Sequence, residues 1–255
     1  MATPTDVATR AGVNAFFDLQ TAKSVEKAGG CRRVGYPGDT LMAAMANRNR
    51  DYAPSDPGEM ETRALGAATE AGAEAFFAFL TNELMPLIED HYPVDLGLST
   101  LQGISLGGLF GAWVLFKAPE TFANYILGSP AIWWKGEEVW DWEAAWAESN
   151  NDLTATVFVS AGELEVAKHQ RADAEKIASK NPGMRKLIEG VIAFNDKHGW
   201  PEIANLTPRF AERLSSRGYP GLRIHCHNFP DETHMSAPPM ITSRGLRYVF
   251  GSWQP

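Results

Sequence analysis

The chain contains only two cysteines in 255 residues, Cys31 and Cys226, and it has no C-x-x-C pair. This scarcity excludes a disulfide framework and a cysteine-based metal or redox site. We expect two buried or free thiols, and a single disulfide between them is the alternative. The chain also lacks any run of about 18 apolar residues, so neither a membrane-spanning helix nor a membrane partner is predicted.

Basic residues are also in short supply. The chain has 23 Lys and Arg against 31 Asp and Glu, a net charge of −8 at pH 7, and no long Lys/Arg run. A sequence-independent grip on phosphate backbones needs a basic face, so nucleic acid is not an expected partner. Residues 1–10 are polar and lack the apolar stretch of a secretory signal. We therefore expect a cytoplasmic protein, or a periplasmic or secreted one if a signal was removed.

Strand-like and helix-like segments alternate along the chain, with no internal repeat. The predicted strands cover residues 31–36 (a weak strand), 98–104, 122–127, 154–160 and 222–229. The predicted helices cover 71–91 with a kink at Pro86, 105–117, part of 133–149, 164–179, 184–217 with breaks at 199–201 and Pro208, and 239–250. This alternation predicts an α/β fold with a mainly parallel sheet. We expect a single domain over residues 1–255, with 1–10 outside the core.

A G-x-S-x-G motif lies at Gly103–Gly107, between an apolar strand and an amphipathic helix. That context is typical of a nucleophile elbow, in which a serine sits on a strained turn between strand and helix. The helix that starts there directs its N–H groups and the positive end of its dipole at a developing oxyanion. The alternative is a serine that merely caps the helix N-terminus. We favour Ser105 as the nucleophile.

A serine nucleophile needs a base and an acid, which should follow it in the order acid, then histidine. His234 lies in F-P-D-E-T-H-M-S, a polar loop directly after the last strand, so it is the candidate base. Glu163 and Glu165 follow the strand over 154–160, and either carboxylate could orient the imidazole. We favour Glu165, with Glu163 as the alternate acid. A solvated helix N-terminus is the structural alternative for both.

His225 and His227 alternate on the last strand and therefore share one strand face. Two histidines in this arrangement could bind a metal, but no third ligand is evident. We therefore predict no metal site.

With these residues assigned, the chain resembles the putative-esterase family of α/β-hydrolases, which includes enterochelin and salmochelin esterases and feruloyl esterases. The stretches that carry the resemblance are Arg48–Pro54, Phe79–Tyr92, Gly103–Trp134 and Phe229–Ser236. The resemblance implies an α/β-hydrolase fold and a cofactor-free serine carboxylesterase that forms an acyl-enzyme on a small-molecule ester. In the family the acid commonly lies at G-x-x-D/E after its strand, which corresponds to Glu165.

The N-terminus departs from the family pattern, because relatives normally begin with strands that end in a stretch such as L-Y-x-L-D-G-N. Here residues 11–17 look like the segment just after that strand, so we expect the sheet to lack its early strands. The first oxyanion donor is then the backbone N–H of Leu106. The second is expected near Asn14 or near Tyr36. A missing strand would leave an exposed edge, so a homodimer that covers it is a further hypothesis.

Several other features of the sequence allow more than one interpretation. Trp133 and Trp134 could line the substrate cleft or pack in the core, and the tryptophan-rich segment 133–149 could cap the site or pack as a helix on the sheet. Arg48 and Arg50 could offset the negative net charge for an anionic substrate, although a solvated loop is the preferred interpretation. An acyltransferase on the same residues, or an inactive ligand-binding relative, is the alternative to an esterase. The ester itself, whether siderophore, feruloyl or short acyl, is not predicted.

Overall fold

The computed structural model describes residues 15–16, 48–65 and 70–251, and in these the chain forms a parallel sheet flanked by helices. Five strands lie in the order β1-β2-β3-β4-β5, and each is parallel to its neighbour. Their bounds are Ala15–Phe16, Thr100–Ile104, Asn124–Gly128, Ala155–Gly162 and Leu222–Phe229. Because all these strands run in one direction, the loops that follow β2, β3, β4 and β5 meet at one edge of the sheet.

Alternating strand residues supply the two cores. Val157 and Val159 of β4 pack in a large cluster on one face of the sheet, whereas Phe158 packs in a smaller cluster on the other. This is the period-2 pattern of a strand that is buried on both faces. The β-branched run that predicted β4 from the sequence therefore lies at the centre of the molecule.

The helices cover both faces of the sheet. In chain order they are α1 Glu59–Leu65, α2 Ala73–Phe79, α3 Met85–His91, α4 Leu106–Lys117, α5 Val139–Ser149, α6 Ala167–Lys180, α7 Arg185–His198, α8 Ile203–Ser216 and α9 Pro238–Phe250. Helices α4 and α8 contribute to the large cluster, and α9 contributes to the smaller one. In the described part of the chain, no helix combines the length and apolarity needed to cross a membrane.

At Pro86, where the sequence predicted a kink, the helix continues, and its hydrogen-bonding pattern changes to a π-helical turn just before the proline. This turn covers Leu80–Leu84 and joins α2 to α3 without a break in the helical path. A proline has no N–H to donate to the preceding turn, so the helix has to change its hydrogen-bonding pattern just before it.

The break predicted at Pro208 is wrong, because Pro208 lies inside α8. The missing N–H would have bonded the carbonyl of Ala204, one turn earlier. That carbonyl instead accepts a hydrogen bond from Nδ2 of Asn228, on β5, at 2.7 Å. The helix continues because a distant side chain replaces the lost backbone donor.

The N-terminal part of the chain needs one correction. Ala15–Phe16, expected to follow a missing strand, is itself a strand whose residues pair with Leu101 and Gln102 of β2. The backbone at these two residues therefore belongs to the sheet. The weak strand predicted at 31–36 and the expected shortage of earlier strands concern residues outside the described ones. The homodimer that was expected to cover that edge stays a prediction.

Candidate active site

Ser105 occupies the turn between β2 and α4 with φ 61° and ψ −119°, a conformation that costs a non-glycine residue about 1–3 kcal/mol. Backbone hydrogen bonds hold the turn: the Ser105 N–H donates to Gly128, and the Ser105 carbonyl accepts from Leu109 and Ala131. The Ser105 side chain makes no capping hydrogen bond to the helix. The alternative of a simple helix-capping serine therefore finds no support in the geometry.

Close backbone packing around this turn explains the first glycine of the motif, Gly103, and the glycine directly after the motif, Gly108. A Cβ added to Gly103 would lie 2.1 Å from the carbonyl oxygen of Gly107. A Cβ added to Gly108 would lie 2.9 Å from the carbonyl oxygen of Gly128. Because both obstacles are backbone atoms that cannot rotate away, a side chain at either position would displace the elbow.

His234 lies in the loop after β5 and pairs with Glu165, in the loop after β4. Nδ1 of His234 is 2.6 Å from Oε2 of Glu165, whose side chain is 1% exposed. A ring whose Nδ1–H donates to a carboxylate presents the lone pair of Nε2 on its other side. This is the tautomer that a general base acting on a hydroxyl requires.

The other oxygen of the Glu165 carboxylate, Oε1, has two hydrogen-bond donors. Oε1 accepts hydrogen bonds from the Ser129 hydroxyl at 2.6 Å and from the Gly162 N–H at 2.7 Å. Glu163, the alternate acid, is exposed, and one of its oxygens accepts only a long 3.4 Å contact from the Asp231 N–H. The structure thus brings Glu165, and not Glu163, against His234. The chemical roles of these residues remain predictions.

The loops that carry Glu165 and His234 are bonded directly to each other. The Leu164 N–H donates to the Glu232 carbonyl, and the Glu163 N–H donates to the Phe229 carbonyl. Gly162 permits this approach, because a Cβ there would lie 2.3 Å from the Glu232 carbonyl oxygen. The acid and the histidine are therefore positioned by one shared backbone assembly.

In the described part of the chain, Ser105 and His234 are not hydrogen-bonded to each other, because the Ser105 hydroxyl has no hydrogen-bond partner within 3.5 Å. Such contacts are often long in the absence of substrate and shorten in the reactive complex. Leu106, the predicted first oxyanion donor, begins α4, where backbone N–H groups have no partner within the helix. Asn14 and Tyr36, the candidate second donors, lie outside the described residues.

The two tryptophans expected near the cleft differ in their surroundings. Trp134 is 1% exposed, and its Nε1–H donates to the Ser55 hydroxyl at 2.9 Å, so its indole belongs to the core. Trp133 is half-buried, and its role in binding stays a prediction. Trp140, Trp142 and Trp146 pack against the large core cluster, which favours the packed helix over the cap.

Arg48 has a more specific setting than the solvated loop that the sequence favoured. Its Nη2 donates to the carbonyl of Ile104, the residue before Ser105, at 3.3 Å, and its guanidinium lies 5.6 Å from the centroid of the Tyr52 ring. Arg50 instead pairs with its neighbour Asp51. Arg48 thus brings a cation to the elbow itself.

The remaining candidates are structural. Burial raises the pKa of the Cys226 thiol to about 11, with a smaller contribution from the charge of Glu212, so this thiol is protonated at neutral pH and is a poor nucleophile. Burial, followed by the neighbouring His227, lowers the pKa of His225. Among the described residues, no cluster of three or more His, Cys, Asp or Glu side chains could hold a metal ion.

Two residues that bond the Glu165 carboxylate, Ser129 and Gly162, were not among the site residues predicted from the sequence. The signal for Ser129 was its place directly after a buried strand, within Gly128-Ser129-Pro130 at the functional edge of a parallel sheet. Nothing in the local sequence indicated which of the polar residues at that edge would reach the acid.

A parallel sheet with a serine elbow after one strand, and an acid and a histidine after two later strands, defines the α/β-hydrolase class. Residues 41–199, more than half of the chain, match the family model described as putative esterase, so the chain belongs to that family. The chain is 30% identical to the ferri-bacillibactin esterase BesA of Bacillus subtilis, over 85% of this chain and 65% of that protein. It is 29% identical to the siderophore triacetylfusarinine C esterase of Aspergillus fumigatus, over 86% of this chain and 70% of that protein.

The fold agrees with this assignment. The crystal structure of the BES protein from Bacillus cereus matches with a TM-score of 0.58 and 26% identity, over 80% of this chain and 63% of that one. The chain thus spans less than two thirds of the length of the Bacillus subtilis and Bacillus cereus proteins.

Proposed function

We propose that the protein is a serine hydrolase that cleaves carboxylic esters through an acyl-enzyme on Ser105, His234 and Glu165. The observation that carries the proposal is the 2.6 Å bond between His234 Nδ1 and the buried Glu165 carboxylate, with Ser105 on the strained elbow of the same sheet edge. A buried carboxylate that accepts a hydrogen bond from an imidazole can orient a general base and stabilise its cation.

The reaction follows from these positions. His234 Nε2 accepts the proton of the Ser105 hydroxyl as its oxygen attacks the ester carbonyl, and Glu165 stabilises the resulting imidazolium. The Leu106 N–H, at the positive end of the α4 dipole, donates to the oxyanion. His234 then protonates the leaving alcohol. In the second half, His234 takes a proton from the water that attacks the acyl-enzyme and returns it to the Ser105 oxygen as the acid leaves.

The substrate class we propose is a siderophore ester. Its support is the similarity to two proteins named as a ferri-bacillibactin esterase and a siderophore triacetylfusarinine C esterase. We expect the protein to release the monomers of ferri-bacillibactin or of triacetylfusarinine C, and chromatography of the products measures this release. If the protein hydrolyses p-nitrophenyl butyrate but cleaves neither siderophore, the proposed esterase activity is supported and the proposed siderophore substrate is refuted.

The nucleophile is tested with Ser105→Ala, using p-nitrophenyl butyrate and each siderophore. We expect kcat to fall by at least about 10³-fold, since the acyl-enzyme can no longer form. Ser149→Ala, an exposed serine on α5, is the matched control and should retain full activity. A Ser105→Ala protein as active as the wild type would refute the proposal.

The acid is tested by comparing Glu165→Gln with Glu163→Gln. Replacement of Glu165 should lower kcat by about 10²- to 10⁴-fold, because the imidazolium loses its counter-charge. Glu163→Gln should stay within about twofold of the wild type, as expected for a solvated surface charge. The reverse ranking of the two variants would reassign the acid.

A further inference from the structure

We infer that Ser129 is a positioning residue for the catalytic acid: its hydroxyl holds the Glu165 carboxylate in the one orientation that presents Oε2 to His234. The inference rests on the proposed function, since it assigns Ser129 a part in the same reaction. The Ser129 hydroxyl bonds Glu165 and not His234, so its effect passes through Glu165.

Hydrogen bonds between the ends of β3 and β4 link Ser129 to the acid. Ser129 directly follows β3, is fully buried, and donates its backbone N–H to the Ser160 carbonyl of β4 at 2.6 Å. Its hydroxyl donates to Glu165 Oε1 at 2.6 Å. The Gly162 N–H, at the end of β4, donates to the same oxygen at 2.7 Å. Oε1 of the carboxylate is thus held by two hydrogen bonds, and Oε2 is left to bond His234.

The physical need for these donors comes from burial. A carboxylate that is 1% exposed has lost its water, and a general base that is ready to accept a proton supplies a hydrogen bond but no positive charge. The Ser129 hydroxyl and the Gly162 N–H therefore stabilise the anion before the imidazolium forms. They also resist rotation of the carboxylate, which would misalign Oε2 with the imidazole.

The backbone of Ser129 gives an independent indication. Its φ is 40°, a left-handed conformation that glycine adopts without steric cost and that side chains rarely adopt. Ser105 and Asp231 have positive φ as well, and all three follow strands at the functional edge. Glycine could form the same turn without strain. A serine at this position is therefore expected if its hydroxyl, which bonds the acid, is required in addition to the turn.

The test is a double-mutant cycle between Ser129 and Glu165. Ser129→Ala removes the hydroxyl, and Ser129→Gly removes it while relieving the positive φ. We expect each to lower kcat about 10- to 100-fold with KM within about twofold, the effect of losing one hydrogen bond to a charged group. In a Glu165→Gln background the same changes should alter kcat by less than about threefold, since Ser129 has no carboxylate left to position.

Ser160→Ala is the matched control. Ser160 lies beside Ser129, is equally buried, and its hydroxyl makes no hydrogen bond within the described residues, so its removal should leave kcat unchanged. Thermal unfolding of every variant shows whether it folds. Should Ser129→Ala fail to fold, Ser129→Gly carries the test, because its backbone matches the observed φ.

Proton NMR supplies a readout that does not depend on turnover. The downfield proton of the His234 Nδ1–H, identified by its loss in His234→Ala, should shift or broaden in Ser129→Gly and be unchanged in Ser160→Ala. Wild-type kcat in a folded Ser129 variant, or an equal loss in the Glu165→Gln background, would overturn the inference. A wild type inactive on every ester would refute the proposed function, while the NMR comparison would still decide whether Ser129 positions the acid.

Discussion

At the scale of single residues, the turn at Ser105 depends on a nearby glycine that has no Cβ. Gly103 lies so close to the backbone of Gly107 that the position of a Cβ is already occupied, at 2.1 Å from a carbonyl oxygen. The strained φ of 61° at Ser105 persists because this packing and the hydrogen bond to Gly128 hold it in place. The conformation of Ser105 therefore depends on the absence of a side chain at Gly103.

We predict that Gly103→Ala lowers the free energy of unfolding by at least about 3 kcal/mol and reduces activity, because the elbow has to move apart. Thermal and urea unfolding measure the first effect. Gly190→Ala is a control of opposite sign: Gly190 lies inside α7 with nothing within 4 Å of an added Cβ, so the change should stabilise the helix by about 1 kcal/mol. An equally stable Gly103→Ala protein would contradict this account of the elbow.

At the scale of elements, helix α8 shows how a distant strand sets the tolerance of a helix for proline. Pro208 leaves the Ala204 carbonyl without its helical donor, and Asn228 of β5 replaces it. The hydrophobic pattern of Ile203–Ser216 predicts a helix correctly. The break predicted at Pro208 was wrong because the compensating amide lies some 20 residues away in sequence and next to the helix only in space.

Asn228→Ala should therefore destabilise the protein by about 1–2 kcal/mol, since it leaves a buried carbonyl unsatisfied. In a Pro208→Ala background the cost should become smaller, because the new N–H at position 208 can bond the Ala204 carbonyl. Urea unfolding of the four proteins of the cycle measures the coupling. Equal costs of Asn228→Ala in both backgrounds would contradict it.

At the scale of the whole molecule, a buried charge joins two helices that cover the same face of the sheet. Glu143 of α5 is 1% exposed and accepts hydrogen bonds from Arg213 and Arg217, at the end of α8 and just beyond it, at 2.6–2.9 Å. Burial by itself raises the pKa of this carboxyl, but the bonds from Arg217 and Arg213 outweigh it, so its pKa is lowered from the ordinary value of 4.5.

A lowered pKa in the folded state means that this carboxylate stabilises the fold above pH 4.5 and that the contribution is lost as the pH falls through the folded pKa. We predict that Glu143→Gln lowers the free energy of unfolding by about 2 kcal/mol at pH 7, and that the difference from the wild type narrows below pH 4.5. Glu148→Gln, exposed on the same helix, should change little. A pH-independent difference would exclude this charge as its cause.

The sequence by itself determined the features that depend on neighbours along the chain. Alternating β-branched and amphipathic segments specified the strands and helices, and Gly103–Gly107 between a strand and a helix specified the elbow, because backbone conformation is set largely by local residue types. The order of strands then placed Ser105, Glu165 and His234 at one edge, since parallel strands bring their carboxyl ends together.

Only the tertiary structure decided which side chains meet at that edge. Glu163 and Glu165 are two residues apart and chemically alike, yet only Glu165 is directed inward, where His234, Ser129 and the Gly162 N–H converge on it. Ser129 and Asn228 likewise acquire their roles from partners on other strands and helices. The physical reason is common to all of these: a buried polar group takes its function from the donors that satisfy it, and folding brings those donors from distant parts of the chain.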